Sequence, residues 1–341
     1  MPYFFLNWNK MIFMTLLMMS TILVISSNSL MNCWMGLELN LMSFIYLIHK
    51  NLNKMSQITV KYFLIQSLAS MNFLFAIISS EMVLNSIMNN IPSNFMIILI
   101  NINMLIKLGA APFHWWFPMI TELLDWENLL ILLTWQKLAP SIVLFYNMNY
   151  TLTMMAIIVS ALIGAYAGLN QTSIRKILTY SSIGHISWML LNLMMNLNSW
   201  KFYFMVYSYL NYITVYFFHK FNISFLSQTY SLKINFFLKI VILSNLLSLG
   251  GIPPLLGFSA KWITVKMMMM SYNLHFIMLI MIICSLINLF YYAQMIYSSI
   301  LLNSSFNINS TFYTKQKINF SQALIISWIF LNGLSILFLF I

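Results

Sequence analysis

Charge is what this sequence has least of. Only 6% of its 341 residues are Asp, Glu, Lys or Arg, and just five are acidic. A soluble domain carries about 25% charged residues, so this chain cannot build a polar shell, which excludes an ordinary soluble globule. Arginine occurs once, as Arg175, and cysteine twice, as Cys33 and Cys284. A cysteine-ligated iron–sulfur cluster needs twice that number of thiolates, so none is built from this chain alone, and both read as small apolar filler. No Gly-x-Gly-x-x-Gly fingerprint and no P-loop occurs, so no phosphate cradle for a nucleotide is visible. No metal site and no cofactor site is expected. The N-terminal MPYFFLNWNKMIF is neither an Arg-rich amphipathic presequence nor followed by an obvious cleavage site, and it reads as retained.

What fills the chain instead is apolar. Hydrophobic residues make up 61%, and the mean hydropathy is +0.86. At about 20 residues per membrane crossing, roughly ten or eleven crossings fit, with no room for a further soluble domain. The expected fold is therefore an all-α polytopic membrane protein. Apolar runs separated by short Asn-, Ser- and Lys-bearing breaks predict eleven helices, near 11–30, 31–49, 59–79, 94–121, 127–147, 150–169, 173–194, 200–226, 236–270, 274–300 and 320–341. The fourth and ninth are too long for one straight crossing, and both contain Gly and Pro.

The formal charge of +11 is better explained by the positive-inside rule than by nucleic acid. With eleven helices, Lys10, Lys50, Lys54, Arg175, Lys176, Lys233, Lys239, Lys315 and Lys317 all fall on one side, and the other has Lys201 and almost nothing else basic. This bias puts the N-terminus and the loops near 50–56, 171–176 and 303–319 on the negative side of the membrane, and the C-terminus on the positive side. A miscount by one helix would abolish the bias.

A weak internal repeat links the two long helices. Residues 105–118 read LIKLGAAPFHWWFP and residues 245–262 read NLLSLGGIPPLLGFSAKW. Leu108, Gly109 and Pro112 match Leu249, Gly250 and Pro253, a period of 141. Helices four and nine are an odd number apart, so the second copy would run the opposite way through the membrane. Inverted repeats, each with a Gly/Pro-broken helix, mark transporters, with the transport path at the breaks. Ordinary proline kinks are the other reading. The expected breaks contain Gly109 and Pro112 in the first case, and Gly250, Gly251, Pro253 and Pro254 in the second.

Four ionisable residues cannot be assigned to loops. Glu38 lies in WMGLELNLMSF of helix two and Lys107 just before the first break. Lys137, in TWQKLAP, is about ten residues into helix five, close to the midplane at 1.5 Å per residue. Lys261 follows the second break. A charge at the centre of a membrane helix costs about 2.5–3.5 kcal/mol even on insertion scales, so each needs a reason. Snorkelling toward the interface is the plainer reading for a lysine near a helix end. The functional reading is proton transfer, since desolvation favours a neutral amine and a nearby carboxylate favours the ammonium. Three lysines with one glutamate would repel Na⁺ or K⁺ more than hold it. His185, beside Ser181 and Ser182, and His114, in the first break, are further candidates, or histidines simply hydrogen-bonded within the bundle. Glu122, Asp125 and Glu127 read as a solvated or partner-facing acidic cluster. Glu81 reads as a loop residue.

WMGLELNLMSF, KLGAAPFHWWFP, TWQKLAP, GLNQTSIRKILTYSSIGHISW and LSLGGIPPLLGF, in this order, resemble the antiporter-like chain 2 family of mitochondrial NADH–ubiquinone oxidoreductase, respiratory complex I. The resemblance is specific over about 30–270 and rests on hydropathy alone beyond that. The Met-, Asn- and Phe-rich composition looks like an insect mitochondrial product. The resemblance implies one antiporter-like domain over 1–341, with inverted five-helix repeats over approximately 11–147 and 150–300 and a final helix at 320–341. By motif it places the family's carboxylate on Glu38, its paired lysine on Lys107, its midplane lysine on Lys137 and the lysine of the second broken helix on Lys261, with His114 and His185 less securely matched. It implies the mitochondrial inner membrane, with the N-terminus in the matrix and the C-terminus in the intermembrane space. Its partners would be the other membrane and accessory subunits and lipids, with no nucleic acid. NADH, FMN, iron–sulfur clusters and ubiquinone would be bound elsewhere in the complex. The resemblance also implies that the first three of the fourteen helices of larger family members are lacking, so a free-standing cation/proton antiporter, one competing function, is disfavoured because a face would be left uncovered; the other is a structural subunit that pumps nothing, for which buried charges have no use.

Overall fold

A hydrocarbon surrounding leaves backbone groups only each other to bond with, and the chain satisfies them with helices. A computed structural model describes residues 2–49, 53–85, 93–230, 236–269 and 275–301. Among these residues there is no strand, only one isolated bridge between Ser173 and Phe225. The helix expected at 320–341, the loop 303–319, and Lys50, Lys233, Lys315 and Lys317 lie outside the described residues.

The helices are α1 (Pro2–Ser26), α2 (Leu30–Ile48), α3 (Asn53–Asn85), α4 (Ser93–Leu108), α5 (Trp116–Thr121), α6 (Trp126–Leu133), α7 (Leu138–Tyr146), α8 (Tyr150–Leu169), α9 (Ile174–Met195), α10 (Leu197–Lys220), α11 (Leu226–Tyr230), α12 (Phe236–Gly250), α13 (Leu256–Met269) and α14 (His275–Leu301). Five segments are long and apolar enough to cross a membrane as they stand: Trp8–Ser26, Gln57–Glu81, Trp126–Tyr146, Tyr150–Leu169 and His275–Met295. Glu81 belongs to α3 and not to a loop, because this helix runs several residues past the apolar stretch that predicted it.

The long fourth and ninth segments are both interrupted. α4 stops at Leu108 and the chain resumes as α5 at Trp116; α12 stops at Gly250 and resumes as α13 at Leu256. The two stops share one backbone pattern. Gly109 has φ 71° and Gly251 φ 91°, a left-handed conformation that glycine adopts without the Cβ clash other residues suffer. Gly109 N–H donates to Ile106 O (3.1 Å) and Ala110 N–H to Leu105 O (3.0 Å). Gly251 N–H donates to Ser248 O (3.1 Å) and Ile252 N–H to Leu247 O (3.3 Å). Both are Schellman caps, which satisfy the last carbonyls of a helix. Glycine therefore stops each helix, and the prolines beyond, lacking an N–H, keep it from restarting at once. The patterns are related by 142 residues, so Gly109 corresponds to Gly251 and Pro112 to Pro254. The sequence match at 141 was one residue out, because Gly250 and Gly251 are adjacent and only the backbone identifies which one turns.

A third interruption was not anticipated. The segment read as one helix over 127–147 is broken between α6 and α7 by a 3₁₀ turn at Trp135–Lys137. Lys137 N–H donates to Thr134 O (3.1 Å) and Leu138 N–H to Trp135 O. Pro140 accounts for it: inside an α-helix its ring would meet the carbonyl of Gln136, four residues back, and its nitrogen offers no proton. The chain tightens just before the proline instead.

Polarity runs from inside to outside. Lys107, Lys137, Lys261, His185, Asn101, Asn192 and Asn245 are buried, while Met11, Met19, Leu68, Phe75 and Phe276 are more than half exposed. Charged and amide groups turned into the bundle with apolar side chains outside is the arrangement a lipid surround demands. Buried amides also fix the packing. Asn101 Nδ2 donates to Asn147 O (2.6 Å), and its Oδ1 accepts from Asn149 N–H (3.3 Å). This holds α4 to the turn between α7 and α8.

Candidate functional site

Among the described residues three lysines are buried, and each is positioned by one of the three interruptions. Lys107 is in the last turn of α4, two residues before Gly109, and 8% exposed. Glu38, on α2 and partly buried, is its electrostatic partner. Among the described residues no hydrogen bond or direct ion pair joins the two. Lys107 instead borders a cavity of about 20 Å³ whose polar lining is Asn40, Tyr62, Gln66 and Gln136.

Lys137 ends the 3₁₀ turn and is 3% exposed. Its Nζ donates to Tyr207 Oη (2.9 Å) and, more weakly, to Ser182 O (3.5 Å). It also stands 4.7 Å from the centre of the Tyr207 ring and 5.8 Å from that of Phe117, so aromatic faces supply part of the solvation that water would. Tyr203 and Tyr207 are one helical turn apart on α10 and face the same way. Tyr203 Oη is 2.8 Å from His185 Nδ1, and the His185 ring is 4.9 Å from that of Tyr207.

Lys261 reaches back across the second break. Its Nζ donates to Gly250 O (2.7 Å) and Leu249 O (3.4 Å), the last carbonyls of α12, where the helix dipole favours a positive charge. A methyl group on Gly251 would lie 2.8 Å from that Nζ, so glycine there both makes the turn and leaves room for the ammonium. Lys137 and His185 thus meet around Tyr203 and Tyr207, while Lys261 is held against the end of α12. His114 is buried in the first break, with Nδ1 3.3 Å from Pro112 O and its ring stacked on Trp115. Among the described residues no hydrogen bond ties it to the lysines.

Sequence reading missed Tyr203, Tyr207, Gln66, Gln136 and Asn40. The spacing of Tyr203, Tyr207 and Asn211 at four-residue steps, which puts them on one face of α10, was the available signal. The acidic cluster turns out to be engaged within the chain. Glu122 pairs with Lys176 at 2.7 Å, Glu127 with Lys10, and Arg175 donates to Glu122 O (3.0 Å) and stacks over Trp126. The two ion pairs are substantially exposed and add little stability. They mark a surface where α1, α6 and α9 meet.

A buried, multiply interrupted helical bundle with ammonium groups at its breaks defines an antiporter-like membrane protein. The chain belongs to the NADH:quinone oxidoreductase/Mrp antiporter transmembrane family, whose sequence model matches residues 27–288. It is 43% identical over 331 residues to NADH-ubiquinone oxidoreductase chain 2 of Anopheles gambiae, covering 95% of each chain. To the protein of the same name from Locusta migratoria it is 40% identical over 301 residues, covering 87% of this chain and 86% of that one. The fold is similar to that of a chain in respiratory complex I from Thermus thermophilus, with a TM-score of 0.82 at 21% identity over 96% of this chain and 78% of that one. It is also similar to a chain of the Mrp complex from Dietzia sp., with a TM-score of 0.75 at 15% identity over 86% of this chain and 61% of that one.

Proposed function

We propose that this chain is a proton-translocating membrane subunit of mitochondrial NADH:ubiquinone oxidoreductase, in which Glu38, Lys107, Lys137 and Lys261 relay protons through the bundle. The observation that carries the reading is that each of three buried lysines sits at a helix interruption, where freed backbone groups and polar side chains replace hydrocarbon. An ammonium placed in a continuous apolar helix would have no such partners. Tyr207 and His185 join the relay between Lys137 and Lys261, and Glu38 sets the charge state at Lys107. The matching Schellman caps 142 residues apart support two inverted five-helix repeats, over approximately 11–147 and 150–300, within one domain of eleven helices. The redox reaction, with NADH, FMN, iron–sulfur clusters and ubiquinone, is assigned to other subunits. The exposed apolar faces of α1, α3 and α14 are assigned to lipid and to neighbouring membrane subunits.

Purification in mild detergent tests this. The chain is expected only within a very large NADH-oxidising assembly. Recovery as a monomer or homodimer would point to a free-standing antiporter instead.

The orientation is part of the same proposal: the N-terminus and the loop before Arg175 lie in the matrix, held there by the basic side chains. A single cysteine introduced at Gln171 is expected to react with an impermeant thiol reagent only from the matrix side of inverted membranes. Reaction from the intermembrane space would overturn both the orientation and the count of eleven.

A further inference from the structure

The small cavity beside Lys107 has a chemistry of its own. Its volume of about 20 Å³ exceeds the roughly 10–15 Å³ that one water requires, and a water there also needs two to four polar partners. Asn40, Tyr62, Gln66, Lys107 and Gln136 line it, with Leu37, Leu41 and Pro140 completing the wall. All five polar residues are buried. Gln136 Nε2 donates to Asn40 Oδ1 (3.0 Å), which fixes one amide at the cavity wall and ties the 3₁₀ turn to α2. Gln66, from α3, is 4% exposed, and its Nε2 has no hydrogen-bond partner. A buried donor left unpaired costs about 1–3 kcal/mol, so an amide in this position calls for a ligand in the adjoining space.

We propose that the cavity binds one ordered water, and that Gln66 together with the Asn40-held Gln136 positions this water for proton transfer at the Lys107 ammonium. The inference rests on the reading of Lys107 as a proton carrier. An amide side chain has no proton to give up in this pH range, so Gln66 and Gln136 are positioning residues. The lining offers the water both kinds of partner: donors in the Gln66 amide and the Lys107 ammonium, and acceptors among the amide oxygens. In the transfer an N–H bond of the ammonium breaks and its proton bonds to the water oxygen. As one of the water's own O–H bonds breaks, that proton bonds to the neutral amine of Lys137, the next lysine of the proposed relay, and the Lys107 amine is left neutral. The water keeps its composition and must reorient before the next transfer. Its place is significant because Gln136 belongs to the same turn as Lys137. The water lies between the helix end that carries Lys107 and the turn that carries the next lysine.

The test uses the whole NADH-oxidising assembly. A water-resolving cryo-EM map of the unaltered complex is expected to show one density feature in the cavity within hydrogen-bond distance of Gln66 and Lys107. Gln66→Met, close in size but apolar, is expected to remove that feature and lower protons pumped per NADH oxidised by about tenfold. It is also expected to raise the solvent deuterium isotope effect on coupled turnover, which a merely structural role would leave unchanged. An empty cavity in the unaltered complex overturns the proposal whether or not the variant assembles. So do unchanged pumping and isotope effect in an assembled Gln66→Met variant. If Lys107→Met loses pumping while Gln66→Met does not, the water assignment alone fails. If Lys107→Met pumps normally, the relay on which it rests has failed.

Discussion

Lys107→Met is expected to leave the chain inserted and assembled while lowering proton transfer and the NADH turnover coupled to it by about 100-fold or more, the scale on which a positioned acid–base group contributes to a rate. Insertion survives because the substitution removes a buried charge from α4 and replaces it with an apolar side chain of similar length. Transfer fails because Lys107 is the one titratable ammonium bordering the polar cavity, and the interaction with Glu38 loses its cationic member. Lys107→Arg discriminates between a proton carrier and a fixed charge. A guanidinium stays protonated throughout the working range, so a carrier is lost whereas a fixed charge is retained. Both variants are expected to impair pumping, measured as proton uptake and NADH oxidation in reconstituted membranes after assembly has been checked on native gels. Full pumping by the Met variant would eliminate the relay through this residue. Full pumping by the Arg variant alone would make Lys107 an electrostatic anchor.

The largest structural effect is expected at Gly257. This residue lies in the first turn of α13, and a Cβ added there would stand 1.7 Å from the carbonyl oxygen of Ser248 and 2.6 Å from its carbon. Those atoms are backbone of α12, so no rotamer change relieves the clash. The two halves of the interrupted helix would have to move apart. Overpacking ordinarily costs about 1–3 kcal/mol, and a backbone-to-backbone overlap of this depth belongs at or beyond the upper end. Gly257→Ala is therefore expected to prevent stable assembly, seen as loss of the chain from the purified complex. Gly250→Ala is the control. Its Cβ would meet Leu289 at 3.4 Å, an ordinary contact, and assembly is expected to survive. A normally assembled Gly257→Ala variant would show that α12 and α13 do not approach each other as described.

How much of the candidate site was legible depended on the kind of signal. Lys107, Lys137 and Lys261 stood out because a charge in an apolar run is costly wherever the helix ends up, so burial could be inferred without coordinates. The first two breaks were legible for a related reason: Gly and Pro act on their own backbone. The break at Lys137 was equally local, written in Pro140, and was passed over because the apolar periodicity continues through it. Tyr207, Gln66 and Asn40 were not legible in that way. A tyrosine or amide in a membrane helix is tolerated in many places, and only its neighbours decide whether it bonds to an ammonium or borders a cavity. The acidic cluster shows the same limit. Glu122 and Glu127 are as solvated as their place near a loop suggests, with side chains 42% and 56% exposed, but their partners were not legible: Lys10 is 117 positions away from Glu127.

The sequence by itself determined the helical, membrane-spanning character, the places where glycine and proline interrupt helices, and which ionisable groups needed an explanation. All of these follow from hydropathy and backbone chemistry, which act within a few residues. The tertiary structure alone decided that Gly251 and not Gly250 turns the second break, and that the Lys261 ammonium lies against the last carbonyls of α12. It alone decided that Lys137 bonds to Tyr207 beside His185, and that a water-sized space adjoins Lys107. Each of these depends on which helix faces which, and that is set by packing many side chains at once, information that no local stretch of sequence contains.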